Sequence, residues 1–311
     1  MQLIRGLHNL HRAPGACVVS IGNFDGVHVG HQAVLTDLVA HARRLGVPAA
    51  AVVFEPQPDE FFRPQPPTRL NTLRDKLGQF AALGLDAVVC LHFNRALAQM
   101  PAEDFIQRLL VQGLRARHVV VGPDFRFGQG RRGDVALLAS AGAAHGFSVA
   151  TIAPFLLDGQ RVSSTAVRAA LAQGDLALAA RLLGRPYAVQ GRVVHGDARG
   201  RTLGFPTANL RVRHGAPAAR GVYAAWVEGV AGHALPAVVN SGLRPTVDGV
   251  LPLIEVHLLD FRGDLYGRRI RVRLARHLRA ERRFESLDAL RAQITADADA
   301  ARACLADGPD R

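Results

Sequence analysis

The sequence predicts an α/β chain in two parts, a doubly wound parallel sheet followed by a small antiparallel β-barrel with a C-terminal helix. Strand-like and helix-like patterns alternate from residue 15 to about 153, which is typical of a parallel sheet with right-handed crossovers. After residue 185 the pattern changes to short β runs separated by turn signals. The length of 311 residues also favours more than one core. We therefore expect domains at 1–185 and 186–311.

The first part contains five apolar runs that predict buried strands. They lie at 17–21, 49–54, 87–91, 118–122 and 148–152. Helical patterns lie between them, at about 30–45, 71–83, 101–113 and 134–145. Loops that follow parallel strands share one edge of the sheet, where ligands bind in such folds.

The second part contains candidate barrel strands at 187–194, 221–228, 235–240, 252–259 and 269–274. No helical period appears before Ser286, whose hydroxyl can cap a helix. Leu287, Leu290 and Ile294 would then share one face of that helix.

The net charge of +12 comes almost entirely from arginine, because Lys76 is the only lysine. The arginines are scattered and aromatic residues make up 6% of the chain, so the charge favours anionic small molecules over nucleic acid. Cys17 and Cys90 sit in apolar runs and are expected to be buried thiols, which fits a reducing cytoplasm. Residues 1–10 lack a signal-peptide core, and no apolar stretch reaches transmembrane length.

The most informative stretch is Gly22-Asn23-Phe24-Asp25-Gly26-Val27-His28-Val29-Gly30-His31, between the first predicted strand and the first helix. A glycine-bearing turn before a helix lets backbone N–H groups approach a phosphate. His28 and His31 add donors on such a site. Half of a metal site is the alternative, although zinc would need a third ligand that the sequence does not place nearby.

Two further loops follow strands at the same edge. The proline-rich loop after Phe54 predicts an extended path without a helix through Pro67, and it is a candidate wall of a flat-ligand pocket. The run 121–128 supplies a carboxylate, an arginine and two aromatic rings.

A second anion site is predicted at 161–168, where hydroxyls at a helix start are flanked by Arg161 and Arg168. Capping alone would explain the hydroxyls but not the arginines. Two anion sites at one edge suit a triphosphate that is cleaved internally.

In the second part, the glycine- and arginine-rich run 191–209 fits a phosphate-binding loop. Its Thr207 and Asn209 carry neutral oxygens of the kind that Mg²⁺ accepts beside nucleotide phosphates. In the run 252–259, strand alternation places Glu255 and His257 on the face opposite Ile254. Spacing alone leaves open whether Glu255 is a base or merely faces solvent.

Taken together, these motifs resemble the bacterial bifunctional riboflavin kinase/FMN adenylyltransferase (FAD synthetase) family over nearly the whole chain. The motifs that carry the resemblance are IGNFDGVHVGH at 21–31, GPDFRFG at 122–128, RVSST at 161–165, GFPTAN at 204–209, NSGLRPT at 240–246 and EVHLLD at 255–260. The resemblance implies an N-terminal nucleotidyltransferase domain and a C-terminal kinase barrel. The kinase would phosphorylate riboflavin with ATP, and the first domain would join the FMN product to AMP, releasing pyrophosphate.

The resemblance also implies roles for individual residues. Catalytic roles fall on His28, His31 and Glu255. ATP of the adenylyl transfer would bind Gly22, Asn23, Asp124, Arg161, Ser164, Thr165 and Arg168. ATP of the kinase would bind Gly196, Arg201, Thr207 and Asn209, with Mg²⁺ on Thr207 and Asn209. The flavin would contact Phe24, Phe54, Phe62 and Phe125.

Three positions depart from common family forms: Gln57 stands where His is frequent, Asp124 where Asn is frequent, and Ser241 where Ile is frequent. The expected partners are ATP, riboflavin and FMN, with no nucleic acid or membrane, and the chain is expected to be a cytoplasmic monomer or weak homo-oligomer. The alternatives are a nucleotidyltransferase for another phosphorylated small molecule and an arginine-rich RNA-binding protein.

Overall fold

A computed structural model describes residues 1–196, 204–211, 217–246 and 249–309. It forms two compact units. The first comprises 1–67 and 73–162, and the second comprises 68–72 and 163–311. The helices after residue 162 are therefore grouped with the barrel, and the domain boundary near residue 185 stays a prediction.

The first unit is built on a six-stranded parallel sheet with the order β1-β4-β3-β2-β5-β6. Its strands are β1 Gln2–Arg5, β2 Val18–Ile21, β3 Ala49–Phe54, β4 Ala87–Leu91, β5 His118–Val121 and β6 Ser148–Thr151. All five predicted strands are confirmed. The edge strand β1 was not predicted, because only Ile4 in it is buried and no apolar run marks it.

Helices cover the sheet. They are α1 Val29–Leu45, α2 Pro58–Phe62, α3 Leu73–Ala82, α4 Arg95–Ala98, α5 Ala102–Phe105 and α6 Val135–His145, and a π-helical segment Ile106–Gly113 continues α5. Apolar side chains pack on both faces of the sheet. Residues Leu156–Leu157 (β7) and Gln160–Arg161 (β8) form a short hairpin.

The prediction that prolines exclude a helix between 54 and 67 was wrong, because α2 lies there. Pro58 occupies the first helical position, where its missing N–H costs no hydrogen bond. Gln57 precedes it as the N-cap, and its N–H donates to Glu60 Oε2 at 2.7 Å in a capping box.

The second unit begins with α7 Ser164–Ala172 and α8 Leu176–Leu183 and continues into a closed barrel with the strand order β10-β13-β12-β11-β14-β9. The strands are β9 Ala188–Val194, β10 Ala208–Leu210, β11 Gly221–Glu228, β12 Leu235–Thr246, β13 Gly249–Leu258 and β14 Arg269–Arg279. The five predicted barrel strands are confirmed, and the three-residue β10 was not predicted.

The C-terminal helix α9, Leu287–Leu305, packs on the outside of the barrel. Ser286 caps it as predicted, since its Oγ accepts from the N–H of Ala289 at 3.1 Å. Ala298, Ala301 and Leu305 are buried against the barrel and continue the predicted stripe of Leu287, Leu290 and Ile294, because steps of three and four residues keep them on one helix face. The first turn of this face is not covered, since Leu287 is 69% exposed.

The buried thiols are confirmed: Cys17 and Cys90 are free and buried. Burial is the main reason why the pKa of Cys17 rises to about 11. Across the described ranges, no helix is both long and apolar enough to cross a membrane.

Candidate active sites

The turn between β2 and α1 has an unusual backbone. Phe24, Gly26 and Val27 have φ angles of 46°, 80° and 42°. Positive φ is natural for glycine, but it is an outlier for a β-branched residue such as Val27. The turn therefore holds a conformation that its own residues do not favour, and it delivers the chain directly into α1.

His28 and His31 lie on one side of this turn. His28 is the N-cap of α1, and its Nδ1 accepts from the backbone N–H of His31 at 3.2 Å. The two rings are stacked, with centroids 3.6 Å apart and an interplanar angle of 15°. Such stacking aligns both imidazoles with the N-terminus of α1, where N–H groups favour an anion.

The His31 ring is electrostatically distinct. Its Nδ1 is buried and has no hydrogen-bond partner among the described residues. Burial first, and then the charges of His28 and Lys76, lower the pKa of His31 well below 6.5. His31 is therefore a neutral imidazole near neutral pH, and it can offer an N–H donor without carrying a full charge.

A cavity of about 780 Å³ opens at the same edge of the sheet. Six of the predicted residues line it: Gly22, Asn23, Phe54, Phe62, Asp124 and Phe125. Phe93, which the sequence analysis did not single out, also lines it and packs edge-on against Phe54 with centroids 5.8 Å apart. Its position two residues after the end of β4 was the available signal.

Phe24 does not line this cavity, so its predicted flavin contact has no support from its position. Its ring is 4% exposed and packs edge-on against Phe80 and His31, at centroid distances of 5.4 Å and 5.2 Å. The left-handed backbone at Phe24 turns the side chain into the core beneath the histidines.

Asp124 and Arg161, both predicted to bind ATP, are neighbours. Their side chains approach to 3.7 Å and both are largely exposed. An exposed ion pair of this kind contributes little to stability, so both groups are available to a ligand.

Ser164, Thr165 and Arg168 lie in the second unit, in the first turns of α7. Ser163 caps this helix, because its Oγ accepts from the N–H of Ala166 at 3.1 Å. Arg168 Nε donates to the carbonyl oxygen of Thr68 at 2.6 Å. The hydroxyls of Ser164 and Thr165 are therefore not needed for capping.

In the barrel, Glu255 lies between two asparagines. It pairs with Asn209 on one neighbouring strand and with Asn240 on the other. Directly opposed residues of antiparallel strands project from the same face, so the three side chains form one row. Ile254 and Val256 are buried on the opposite face, which confirms the predicted alternation. Asn240, whose buried Oδ1 has no hydrogen-bond partner among the described residues, was not predicted as a site residue.

Gly196 lies directly against Asn209. A Cβ at position 196 would be 2.3 Å from Asn209 Nδ2, so any larger residue there would require the Asn209 amide to move. Arg201, the other predicted phosphate ligand in this loop, lies outside the described residues.

Thr207 lines a second cavity of about 520 Å³, together with Pro206 and Tyr266. His257 Nδ1 lies 2.9 Å from the carbonyl oxygen of Pro206, and as a donor it would hold the segment that carries Thr207. This contact gives His257 a structural role beside Glu255.

Glu281 is a further carboxylate near this row that the sequence analysis missed. Burial raises the pKa of Glu281 above its usual value, and Glu255 raises it further, while Arg220 and Arg279 oppose the shift.

No cluster of three or more His, Cys, Asp or Glu side chains suited to a metal ion occurs in the part of the chain that the structure describes. The alternative that His28 and His31 form half of such a site therefore has no third ligand there.

The fold and these sites define a two-part enzyme of phosphate chemistry, a nucleotidyltransferase joined to a barrel kinase. A family model for FAD synthetase matches residues 10–166, and one for riboflavin kinase matches residues 183–305. The chain belongs to the family of bifunctional riboflavin kinases/FMN adenylyltransferases.

Individual relatives agree over the full length. Those named bifunctional riboflavin kinase/FMN adenylyltransferase include one from Escherichia coli (strain K12), 51% identical and covering 97% of both chains. Another, from Pseudomonas fluorescens, is 50% identical and covers all of both chains. A crystal structure described as a macrolide-efflux protein from Streptococcus pneumoniae has a TM-score of 0.80 and 28% identity, covering 97% of this chain and 99% of that one.

Proposed function

We propose that separate sets of residues carry out the two reactions of this bifunctional enzyme. Riboflavin would be phosphorylated by ATP in the barrel, and FMN would be adenylylated by ATP in the first domain. In the adenylyl transfer the FMN phosphate is already an anionic nucleophile and pyrophosphate is a good leaving group. Alignment and charge stabilisation therefore suffice, and no general base is needed.

His28 and His31 would contact the ATP phosphates together with the N-terminus of α1. Ser164, Thr165 and Arg168, in the first turns of α7, would bind ATP of the adenylyl transfer, as would Arg161 and Asp124. The position of the two stacked imidazoles at the N-terminus of α1 supports this proposal, because an anion is favoured at that helix end. The neutral state of His31 means that it would act as a hydrogen-bond donor.

The aromatic lining of the larger cavity supports its assignment to the flavin of FMN. Phe54, Phe62 and Phe125 would contact the ring, and Phe93 joins them on the basis of its position. A planar aromatic ligand packs well among rings that meet edge-on.

In the kinase reaction a neutral hydroxyl must attack, so a base is useful. Glu255 would accept the proton of the riboflavin 5′-hydroxyl as it attacks the γ-phosphorus of ATP. The observation that carries this assignment is the pairing of Glu255 with Asn209 across adjacent strands, because it joins the carboxylate to a predicted phosphate-site residue.

Mg²⁺ is proposed at Thr207 and Asn209. Their hydroxyl and amide oxygens fit a hard cation whose remaining ligands are phosphate oxygens and water. When bound, the ion would neutralise phosphate charge, and Gly196 and Arg201 would complete the phosphate site. We also propose a cytoplasmic location and a monomer or weak homo-oligomer.

The test supplies purified protein with riboflavin, ATP and Mg²⁺ and follows FMN and FAD by chromatography. Glu255→Gln should abolish FMN formation, with a loss of about 100-fold or more, yet still form FAD from supplied FMN. His28→Ala should show the reverse pattern. Loss of both activities in either variant would contradict the assignment of these residues to separate sites.

A further inference from the structure

The strongest feature that the two reactions leave unused is Lys76. It is the only lysine in the sequence and is 1% exposed on α3. Its Nζ donates a hydrogen bond to the backbone carbonyl oxygen of Asn23, in the turn that precedes the catalytic histidines. A buried ammonium loses its hydration and is stable only where neighbouring groups compensate, so the groups around Lys76 must be arranged to hold it.

The identity of the residue is informative in this chain. Every other basic side chain of the Lys/Arg type is arginine, including exposed Arg74 two residues earlier on the same helix. A lysine offers a compact ammonium on an unbranched stem, whereas arginine presents a wide planar fork. At this position the compact ammonium of lysine reaches the carbonyl oxygen of Asn23.

The helix α3 holds the turn at two points. Lys76 binds the carbonyl of Asn23, and Phe80 packs edge-on against the ring of Phe24, with centroids 5.4 Å apart. Asn23 directly precedes Phe24, where the run of positive φ angles begins. Strained backbone of this kind persists only where surrounding contacts enforce it.

We propose that Lys76 is a positioning residue of the adenylyltransferase, which fixes the Asn23 carbonyl and thereby keeps His28 and His31 stacked and directed at the ATP phosphates. This inference rests on the proposed role of the two histidines. It implies that adenylyl transfer also requires a buried positive charge behind the phosphate-binding turn, at a residue that does not itself contact the ligand.

The same charge acts on His31. Burial lowers the pKa of His31 most, and the charges of His28 from the turn and Lys76 from α3 lower it further. Asp25, a buried carboxylate of the same turn, belongs to the charge environment as well. Removing the ammonium should therefore raise the pKa of His31.

The experiment compares Lys76→Met, which keeps the length and removes the charge, with Lys76→Arg, which keeps the charge. Arg74→Met is the matched control, because it removes an exposed charge from the same helix. FAD formation from supplied FMN is measured against pH, and riboflavin kinase activity in the same preparation reports on folding. His28→Ala is assayed alongside.

We expect Lys76→Met to lower kcat for FAD formation about 10- to 100-fold, as for a displaced catalytic group, with kinase activity within about twofold. The acid limb of its residual activity should move to higher pH. Lys76→Arg should keep the acid limb of the unsubstituted enzyme and should retain more FAD formation than Lys76→Met. Arg74→Met should match the unsubstituted enzyme in both respects.

Full FAD formation in Lys76→Met would overturn the proposal. So would equal losses in the Met and Arg variants with an unchanged pH profile, since packing alone would explain that result. Should Lys76→Met fail to fold, Lys76→Gln replaces it, and an unshifted acid limb there is equally decisive. If His28→Ala retains FAD formation, the proposed role of the histidines is wrong. This outcome is distinguished from failure of the Lys76 proposal, which is judged from the Lys76 variants.

Discussion

Gly196→Ala should strongly lower the riboflavin kinase activity and leave the adenylyltransferase activity unchanged. The backbone at Gly196 has no positive φ that would strain alanine, so the effect comes from one contact. The added Cβ would lie 2.3 Å from Asn209 Nδ2 and 2.7 Å from its Cγ. Ordinary contact begins at 3.4 Å, so the amide must shift by about 1 Å.

A displacement of about 1 Å in a positioned group costs about 100-fold in rate, which corresponds to about 2.7 kcal/mol of transition-state stabilisation. The assay measures kcat/KM for riboflavin phosphorylation, and FAD formation from supplied FMN serves as the internal reference. Gly232→Ala is the control, because no atom of the described residues lies within 4 Å of its added Cβ. Kinase activity within twofold of that control would refute the placement of Asn209 in the phosphate site.

Three further results are expected. His31→Gln should flatten the pH dependence of the free energy of unfolding, measured by urea unfolding. The imidazole of the unfolded chain takes up a proton below pH 6.5 and that of the folded chain does not, because its pKa is lowered. The free energy of unfolding should therefore fall by about 1.4 kcal/mol by pH 5.5 in the unsubstituted enzyme and not in the variant. Asp297→Asn should lower the free energy of unfolding of the barrel by about 2–3 kcal/mol, because it removes the charge that Arg279 contacts at 2.7 Å and 3.0 Å. The urea midpoint for kinase inactivation should then fall, while the midpoint for adenylyltransferase inactivation should not. Phe62→Ala should raise KM for FMN about 10-fold, through lost ring packing in the cavity, and leave KM for riboflavin unchanged in steady-state assays.

The parallel strands were predictable because each is a continuous apolar run, as in β3, where all six residues are buried. The edge strand β1 gave no such signal, since Gln2 and Arg5 face solvent. The helix α2 was missed for a different reason. Proline excludes a helix only from interior positions, and Pro58 occupies the first.

The site was predictable where a local pattern decides orientation. Alternation along β13 placed Glu255 opposite Ile254 and Val256, as observed. The neighbours of Glu255 depend on strand register between distant segments, so Asn240 could not be found in the same way. Burial of Phe24 likewise depends on tertiary packing, because α3 arrives beneath the turn from later in the chain.

The solitary buried lysine also determines how the side chains of the folded protein react with amine-directed reagents. Succinimidyl esters and lysine cross-linkers will find no exposed lysine side chain, because Lys76 is the only one and is shielded. Modification at that position requires the region around α3 to open, and local opening in native proteins has its own free energy. The rate at which Lys76 becomes acylated, compared with and without ATP, would therefore report how far nucleotide suppresses that opening.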